Sequence, residues 1–267
     1  MFKDITLGQY MPGNTVVHRL DPRAKILLTI VYIAMVFTVS TPVLYVIPAV
    51  YVYLTARLSG LSFRQLLKSI KPLRLLLILT FVLNIFFSGG QTVLVQWKFV
   101  TITQEGLLLA IHFSLRLIFL VLGTSVLTLT TSPVALSDGI EILLSPLKKV
   151  RFPVHELAMM MTIALRFIPT LIEETDKIMK AQKARGADFE SGNLLARAKA
   201  MTPLLVPLFV SAFRRAGELA MAMEARCYHG GEGRTRLRVL RYTKEDGQAF
   251  AVSFGMLFLL IACNILL

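Results

Sequence analysis

The sequence predicts an all-α membrane protein with about five transmembrane helices and a set of cytoplasmic amphipathic helices. Three observations carry that prediction. Apolar residues make up 55% of the 267-residue chain and charged residues only 17%, a richer apolar content than soluble domains have. Several apolar stretches approach the roughly 20 residues that cross a hydrocarbon core. The net charge of +13 collects between those stretches, as it does on the inner loops of membrane proteins, and this reads as a topology signal more than a nucleic-acid footprint.

Residues 1–25 form a polar, cytoplasmic N-terminal segment, with Asp4, Asn14 and Asp21 where a cleavable signal peptide would need an apolar core. Within it "HRLDPRAK", His18 to Lys25, reads as a helix start at the membrane surface. Asp21 is the N-cap, Pro22 takes the first helical position, and Arg23 and Lys25 sit at headgroup level.

The next run, Ile26 to Thr55, is one long span or two short ones broken at "VSTPV", where Pro42 disfavours helix in the residue before it. Charge decides for two. A hairpin keeps Lys3, Arg19, Arg23 and Lys25 on the same side as Arg57, Arg64, Lys68, Lys71 and Arg74.

Residues 61–72 space Leu66, Leu67 and Ile70 against Arg64, Lys68 and Lys71, as an interfacial helix or a cytoplasmic loop helix does. Leu73 to Phe87 is the third span, with Arg74 snorkelling at its edge. Ser88 to Gly106 alternates β-branched and polar residues, giving an outer hairpin or ordered loop with Trp97 as an interface anchor. Gly106 to Leu129 is the fourth span and closes the membrane region 26–131. His112 and Arg116, one turn apart within it, mark a transport path or an interhelical contact.

Residues 132–248 change character, because 18 basic and 13 acidic residues interleave with apolar ones at helical spacing. Here a short helix opens at Pro133 and ends near Leu147. A long one runs from about Val154 to Arg185 with Pro169 inside it, and a turn covers Gly186 to Gly192. Another helix runs from about Leu194 to Arg226, interrupted at Pro203 and Pro207, and "HGGEGRTR" is a basic link. Residues 249–267 are the last span. With this sorting 27 of the 29 Lys and Arg residues face the cytoplasm, so the N-terminus is expected inside and the C-terminus outside.

Catalytic chemistry finds little support. No Gly-Lys dipeptide exists for a phosphate loop, and "HELAM", His155 to Met159, has Met where a zinc-protease motif needs its second His. Asp138 and Glu141 read as a solvated face. Cys227 and Cys263 have no ligand-spaced partners, so neither a metal nor a cofactor is expected.

The informative pattern lies on the two long cytoplasmic helices. On the first, Ile168, Leu171, Ile172, Thr175, Ile178, Met179 and Gln182 form a stripe, with Arg185 continuing it. The second repeats this with Leu205, Leu208, Phe209, Ala212, Ala216, Leu219, Ala220 and Met223, and Arg226 at its end. Each stripe thus ends on Ala-Arg: Ala184, Arg185 and Gly186 in one case, Ala225, Arg226 and Cys227 in the other. One such end is ordinary helix capping. Two in one module point to a paired role, and an arginine fork suits a bidentate grip on a carboxylate. Seven methionines, among them Met159, Met179 and Met223, suit an adaptable contact surface or plain core filling.

Taken in order, "HRLDPRAK", the two Ala-Arg ends and "GGEGRTR" before a final span resemble the T component of energy-coupling factor (ECF) transporters, over the whole chain. The resemblance implies a non-catalytic scaffold of an ATP-binding-cassette importer for vitamins or transition-metal ions. Its implied partners are two ATPase subunits and a small substrate-binding membrane (S) subunit, with no nucleic acid. It further implies that the two long helices are crossing coupling helices whose Ala-Arg-Gly ends dock into the ATPases. Ala184, Arg185 and Gly186 match that motif fully, whereas Cys227 replaces the glycine in the second. The runner-up readings are the permease of a conventional ATP-binding-cassette importer and an intramembrane enzyme.

Overall fold

The computed structural model describes residues 10–87, 89, 92–97, 100–150, 152–187, 189, 193–230 and 239–266. From Gly231 onward the expected link "HGGEGRTR" therefore lies outside the described residues. The chain divides into two units, one of residues 8–139 and 239–267 and one containing residues 140–238.

The first unit begins with a short turn of helix, α1 (Val16–Arg19), and then α2 (Pro22–Thr38). As its sequence dictates, Asp21 caps α2 by accepting from the Arg23 backbone N–H at 2.9 Å, with Pro22 in the first turn. The helix stops at Val39, ahead of Pro42, and a 3₁₀ turn at Pro42–Tyr45 leads into α3 (Val46–Ser59). The expected break at "VSTPV" is thus observed. Gly60, at φ 67°, ends α3 in the left-handed conformation that glycine adopts without a Cβ clash.

The short helix α4 (Phe63–Ile70) starts where the Ser62 N–H donates to the Gln65 carboxamide, and a 3₁₀ turn at Lys71–Leu73 carries it straight into α5 (Arg74–Phe87). Leu66 of α4 is fully buried in the core, so α4 is packed into the fold by one face. By contrast α5 buries no residue, with Leu75 80% and Phe87 82% exposed, as suits a helix whose outer face meets lipid.

Strands β1 (Val93–Trp97) and β2 (Val100–Thr103) pair antiparallel, which selects the hairpin from the two readings open for that loop. Thr103 then caps the long helix α6 (Gln104–Thr130), accepting from the Gly106 N–H at 3.2 Å. Helix α7 (Pro133–Leu143) follows, and α10 (Lys244–Leu266) returns to this unit at the end of the chain.

Helix α6 is the hub, packing on α2, α3, α4 and α5, while α10 packs on α2 and α3. Lipid tails are as apolar as leucine, so helix association rests on close van der Waals fit and interhelical hydrogen bonds. Gly123 supplies the fit: a Cβ there would come within 2.0 Å of the Tyr32 ring. That ring stacks on Tyr51 at 5.2 Å, and its hydroxyl donates to the Phe119 carbonyl at 2.8 Å. Around it Met35, Val36, Val52, Leu122 and Leu260 complete the core.

The second unit holds α8 (Val154–Ala184) and α9 (Leu194–Glu224), each 31 residues long. One expectation is corrected here. Helix α9 runs unbroken through Pro203 and Pro207, because each proline removes a single donor and the hydrogen bonds on either side still close the helix. The short helix is also trimmed, with α7 ending at Leu143 and a 3₁₀ turn covering Ser145–Val150.

Among the described residues five helical stretches are long and apolar enough to cross a bilayer: Pro42–Ser59, Phe63–Phe87, Gln104–Thr130, Val154–Ala184 and Lys244–Leu266. This places the protein among all-α multi-pass membrane proteins, with one small hairpin. Four of these stretches coincide with sequence-predicted spans. The fifth predicted span, α2, has 17 residues and buries Leu28, Tyr32, Met35 and Val36 among its neighbours, whereas α8 meets the length and apolarity criteria through its N-terminal half.

Candidate functional site

Helices α8 and α9 pack on each other inside their own unit. Ile163, Phe167 and Leu171 of α8 face Ala212, Leu219 and Met223 of α9 across an apolar groove of about 310 Å³. The face turned towards α8 is therefore the small-residue row from Ala212 onward. Leu205 and Phe209, expected on the same stripe, point elsewhere and are 52% and 61% exposed.

A polar clamp fixes the contact beside that groove. Glu174 of α8 accepts from the Ser211 hydroxyl at 2.6 Å and pairs with the Arg215 guanidinium. A fork held by a half-buried carboxylate gives directional as well as energetic definition. Helical periodicity did not single out this trio, because Glu174 and Arg215 each look like one more surface charge on their own helix. The signal that would have found them is opposite charge at the point where the two stripes meet.

The helix ends have one geometry in common. At the end of α8 the Gly186 N–H donates to the Lys183 carbonyl and the Ala187 N–H to Gln182, both at 3.0 Å, with Gly186 at φ 90°. At the end of α9 the Cys227 N–H donates to Glu224 at 2.8 Å and the Tyr228 N–H to Met223 at 3.0 Å, with Cys227 at φ 55°. Both are Schellman terminations, with a left-handed residue closing the helix. Arg185 and Arg226 occupy the same place, one residue before the left-handed one, and both side chains are exposed. Among the described residues nothing lies within 4 Å of the position a Cβ would take on Gly186.

Cys227 therefore stands where the backbone wants glycine. Cys227→Gly is expected to raise stability by about 1 kcal/mol by removing the left-handed strain, whereas the β-branched Cys227→Val lowers it by at least as much. Thermal melting of the purified chain checks both signs.

Other residues flagged by the sequence fall into structural roles. Arg116 donates to the Val39 carbonyl at 3.2 Å and lies 2.8 Å from His112 Nε2, with its guanidinium 5.4 and 5.5 Å from the Phe37 and Phe113 ring centres. It thus closes the C-terminal end of α2, where orphan carbonyls favour a cation, and the interhelical-contact reading holds. Glu141 is paired with His155 at 3.1 Å, which occupies the histidine of "HELAM".

The basic motif at α2 departs from expectation at Lys25. It is 6% exposed and donates to the His18 and Thr130 carbonyls at 3.2 and 3.0 Å. It does not sit free at headgroup level, because two carbonyl ends supply the acceptors its ammonium would otherwise take from water. Asp21 pairs with Arg23, whose guanidinium covers the Tyr242 ring at 4.4 Å. Burial pushes the Asp21 carboxyl up, but the hydrogen bonds and charge of Arg23 outweigh it and hold the group below the usual carboxylate range. Asp246, 1% exposed, accepts from the Asp21 N–H at 2.9 Å and from the Thr243 N–H and hydroxyl at 2.7 and 2.9 Å. The motif therefore ties the start of α2 to the start of α10.

Comparison with known proteins agrees with this architecture. Residues 13–237 match the CbiQ family, described as "Cobalt transport protein". The chain is 56% identical over 260 residues to the energy-coupling factor transporter transmembrane protein EcfT of Acidaminococcus fermentans, covering 97% of each chain. Its identity to the protein so named from Clostridium kluyveri is 56% over 247 residues, 92% of each chain. For that of Bacillus subtilis it is 49% over 246 residues, 92% of this chain and 93% of the relative. Similarity at this level over nearly the whole length, on a multi-pass helical fold, leads to one conclusion: the chain belongs to the CbiQ family and is a transmembrane T component of an energy-coupling factor transporter.

Proposed function

We propose that this chain is the non-catalytic mechanical link of its transporter, coupling ATP hydrolysis by two partner ATPases to movement of a substrate-binding S subunit in vitamin or metal-ion uptake. The observation that supports this most is the pair of matching helix ends. Arg185 and Arg226 stand on equivalent Schellman terminations of two helices that are clamped together by Glu174, Ser211 and Arg215. Two like tips on one clamped pair suit two like partners.

In this reading Ala184, Arg185 and Gly186 form one ATPase-docking end, and Ala225, Arg226 and Cys227 the other. Arginine is the fitting anchor, since its fork takes a carboxylate bidentately and stays charged. The small residues beside it let the tip enter a groove. The clamp makes α8 and α9 move as one body, so a displacement at either tip is transmitted along 31-residue helices and not lost in sliding. Positive-inside sorting places the N-terminus and both tips in the cytoplasm and the C-terminus outside.

Affinity purification of the tagged full-length chain from its own membranes tests the proposal. The expected result is that two ATPase chains and one small membrane subunit come down with it in fixed ratio. Recovery of the chain alone, or with a single ATPase, would contradict the reading.

A further inference from the structure

Helix α4 buries one side, through Leu66 at 0% exposed, and turns the other away from the fold. On that outer side Arg64, Lys68 and Lys71 recur at steps of four and three residues and so share one face, with Arg74 three residues further on. All four are exposed.

The strip has no counter-charge within the chain. The sequence holds no Asp or Glu between Asp21 and Glu105. Helix α4 packs on α6, whose single acidic residue, Glu105, stands in its first turn and accepts from the Thr92 N–H beside the hairpin. Among the described residues no carboxylate pairs with any of the four cations. One such charge is an ordinary solvated side chain, whereas four of one sign on one strip repel each other and favour an anionic surface.

The residues that continue the strip say which surface. The helical stretch Phe63–Phe87 runs on into the bilayer, and beyond Arg74 its outward residues change from cations to hydrocarbon, with Leu75, Ile78 and Leu79 80%, 59% and 48% exposed. Phe63 and Leu67, 56% and 45% exposed, flank the cations themselves. An acidic protein surface accounts for the cations but not for the apolar run that extends them, and a lipid leaflet accounts for both. Residues 75–87 rise only about 20 Å, short of a hydrocarbon core of about 30 Å. A span that short brings its flanking Lys and Arg to the level of the phosphates, where their long stems snorkel.

We propose that α4 and the turn after it form a strip that collects anionic phospholipids, with Arg64, Lys68, Lys71 and Arg74 on the headgroups and Leu75 and Ile78 against the acyl chains. Positive-inside sorting puts the strip at the cytoplasmic leaflet, whose anionic lipids attract basic residues beside a span. Leu66, buried from behind, holds α4 to α6 and keeps the cationic face turned outward. The proposal rests on the membrane-spanning assignment of Phe63–Phe87 and not on ATPase docking, so either can fail without the other.

Native mass spectrometry of the delipidated full-length chain, titrated with phosphatidylglycerol or phosphatidylcholine, tests it. Phosphatidylglycerol is expected to bind about tenfold tighter. Lys68→Gln with Lys71→Gln should cut that preference by about fivefold or more, while Lys68→Arg with Lys71→Arg, which keeps the charge, retains it. Lys177→Gln with Lys180→Gln removes the same charge from two exposed lysines of α8 and should leave the preference unchanged. Equal binding of the two lipids to the unaltered chain overturns the proposal, as does an equal loss in the two glutamine pairs, which would make the effect one of net charge. A photoreactive side chain at position 67 in native membranes is expected to capture phosphatidylglycerol, and capture of a protein subunit with no lipid overturns the proposal equally.

Discussion

Arg185→Glu combined with Arg226→Glu is expected to abolish substrate uptake and to strip both ATPases from the purified complex. Losing one charged partner from a desolvated pair at an interface costs about 2–5 kcal/mol, and charge reversal adds repulsion from the carboxylate left behind. Each single variant should thus weaken its own ATPase contact by more than about thirtyfold, and the double variant should assemble none. The alternative explanation, a misfolded chain, is separable. Glutamate at a helix C-terminus costs only about 0.3–1 kcal/mol through the macrodipole, and both arginine side chains are exposed, so the variant should remain folded and membrane-inserted. Pull-down of the ATPases together with a melting curve reads out both points. Normal ATPase recovery with the double variant would remove the docking role of these tips.

Asp246→Ala is the second large effect, and it concerns stability. Asp246 is 1% exposed and holds three hydrogen bonds, one of them from the buried Asp21 N–H at the start of α2. Alanine offers no acceptor, leaving that N–H without a partner in a site too closed for easy replacement by water. A buried unsatisfied donor costs about 1–3 kcal/mol, and the lost bonds to a charged acceptor bring the expected total to about 3 kcal/mol or more. Asp246→Asn retains an acceptor oxygen and should cost less than half as much. A melting midpoint of the alanine variant equal to that of the unaltered chain would show that the link between α2 and α10 does not hold the fold.

Local chemistry made much of this legible in advance. The Asp21–Pro22 start of α2, the break before Pro42 and the stops at Gly186 and beyond Arg226 were readable because capping, proline and glycine act over three or four residues. The prolines of α9 misled for the same reason. A local rule assigns each a cost of about 3 kcal/mol but says nothing of the surrounding helix that meets it. Lys25 was misplaced because the acceptors that permit its burial, the His18 and Thr130 carbonyls, include one that is 105 residues away.

The two halves of the candidate site divide along that line. Sequence by itself determined that two helices end on arginine, since the Ala-Arg step and the stripe above it are contiguous. Only the tertiary structure decided that both ends close by one hydrogen-bond pattern with Cys227 accepting the left-handed role, that Glu174 clamps Ser211 and Arg215, and that Asp246 serves Asp21 across 225 residues. Periodicity and capping carry information along the chain for a turn or two, whereas a buried polar group is satisfied by whatever packing brings within about 3 Å, and that neighbour is written nowhere near it.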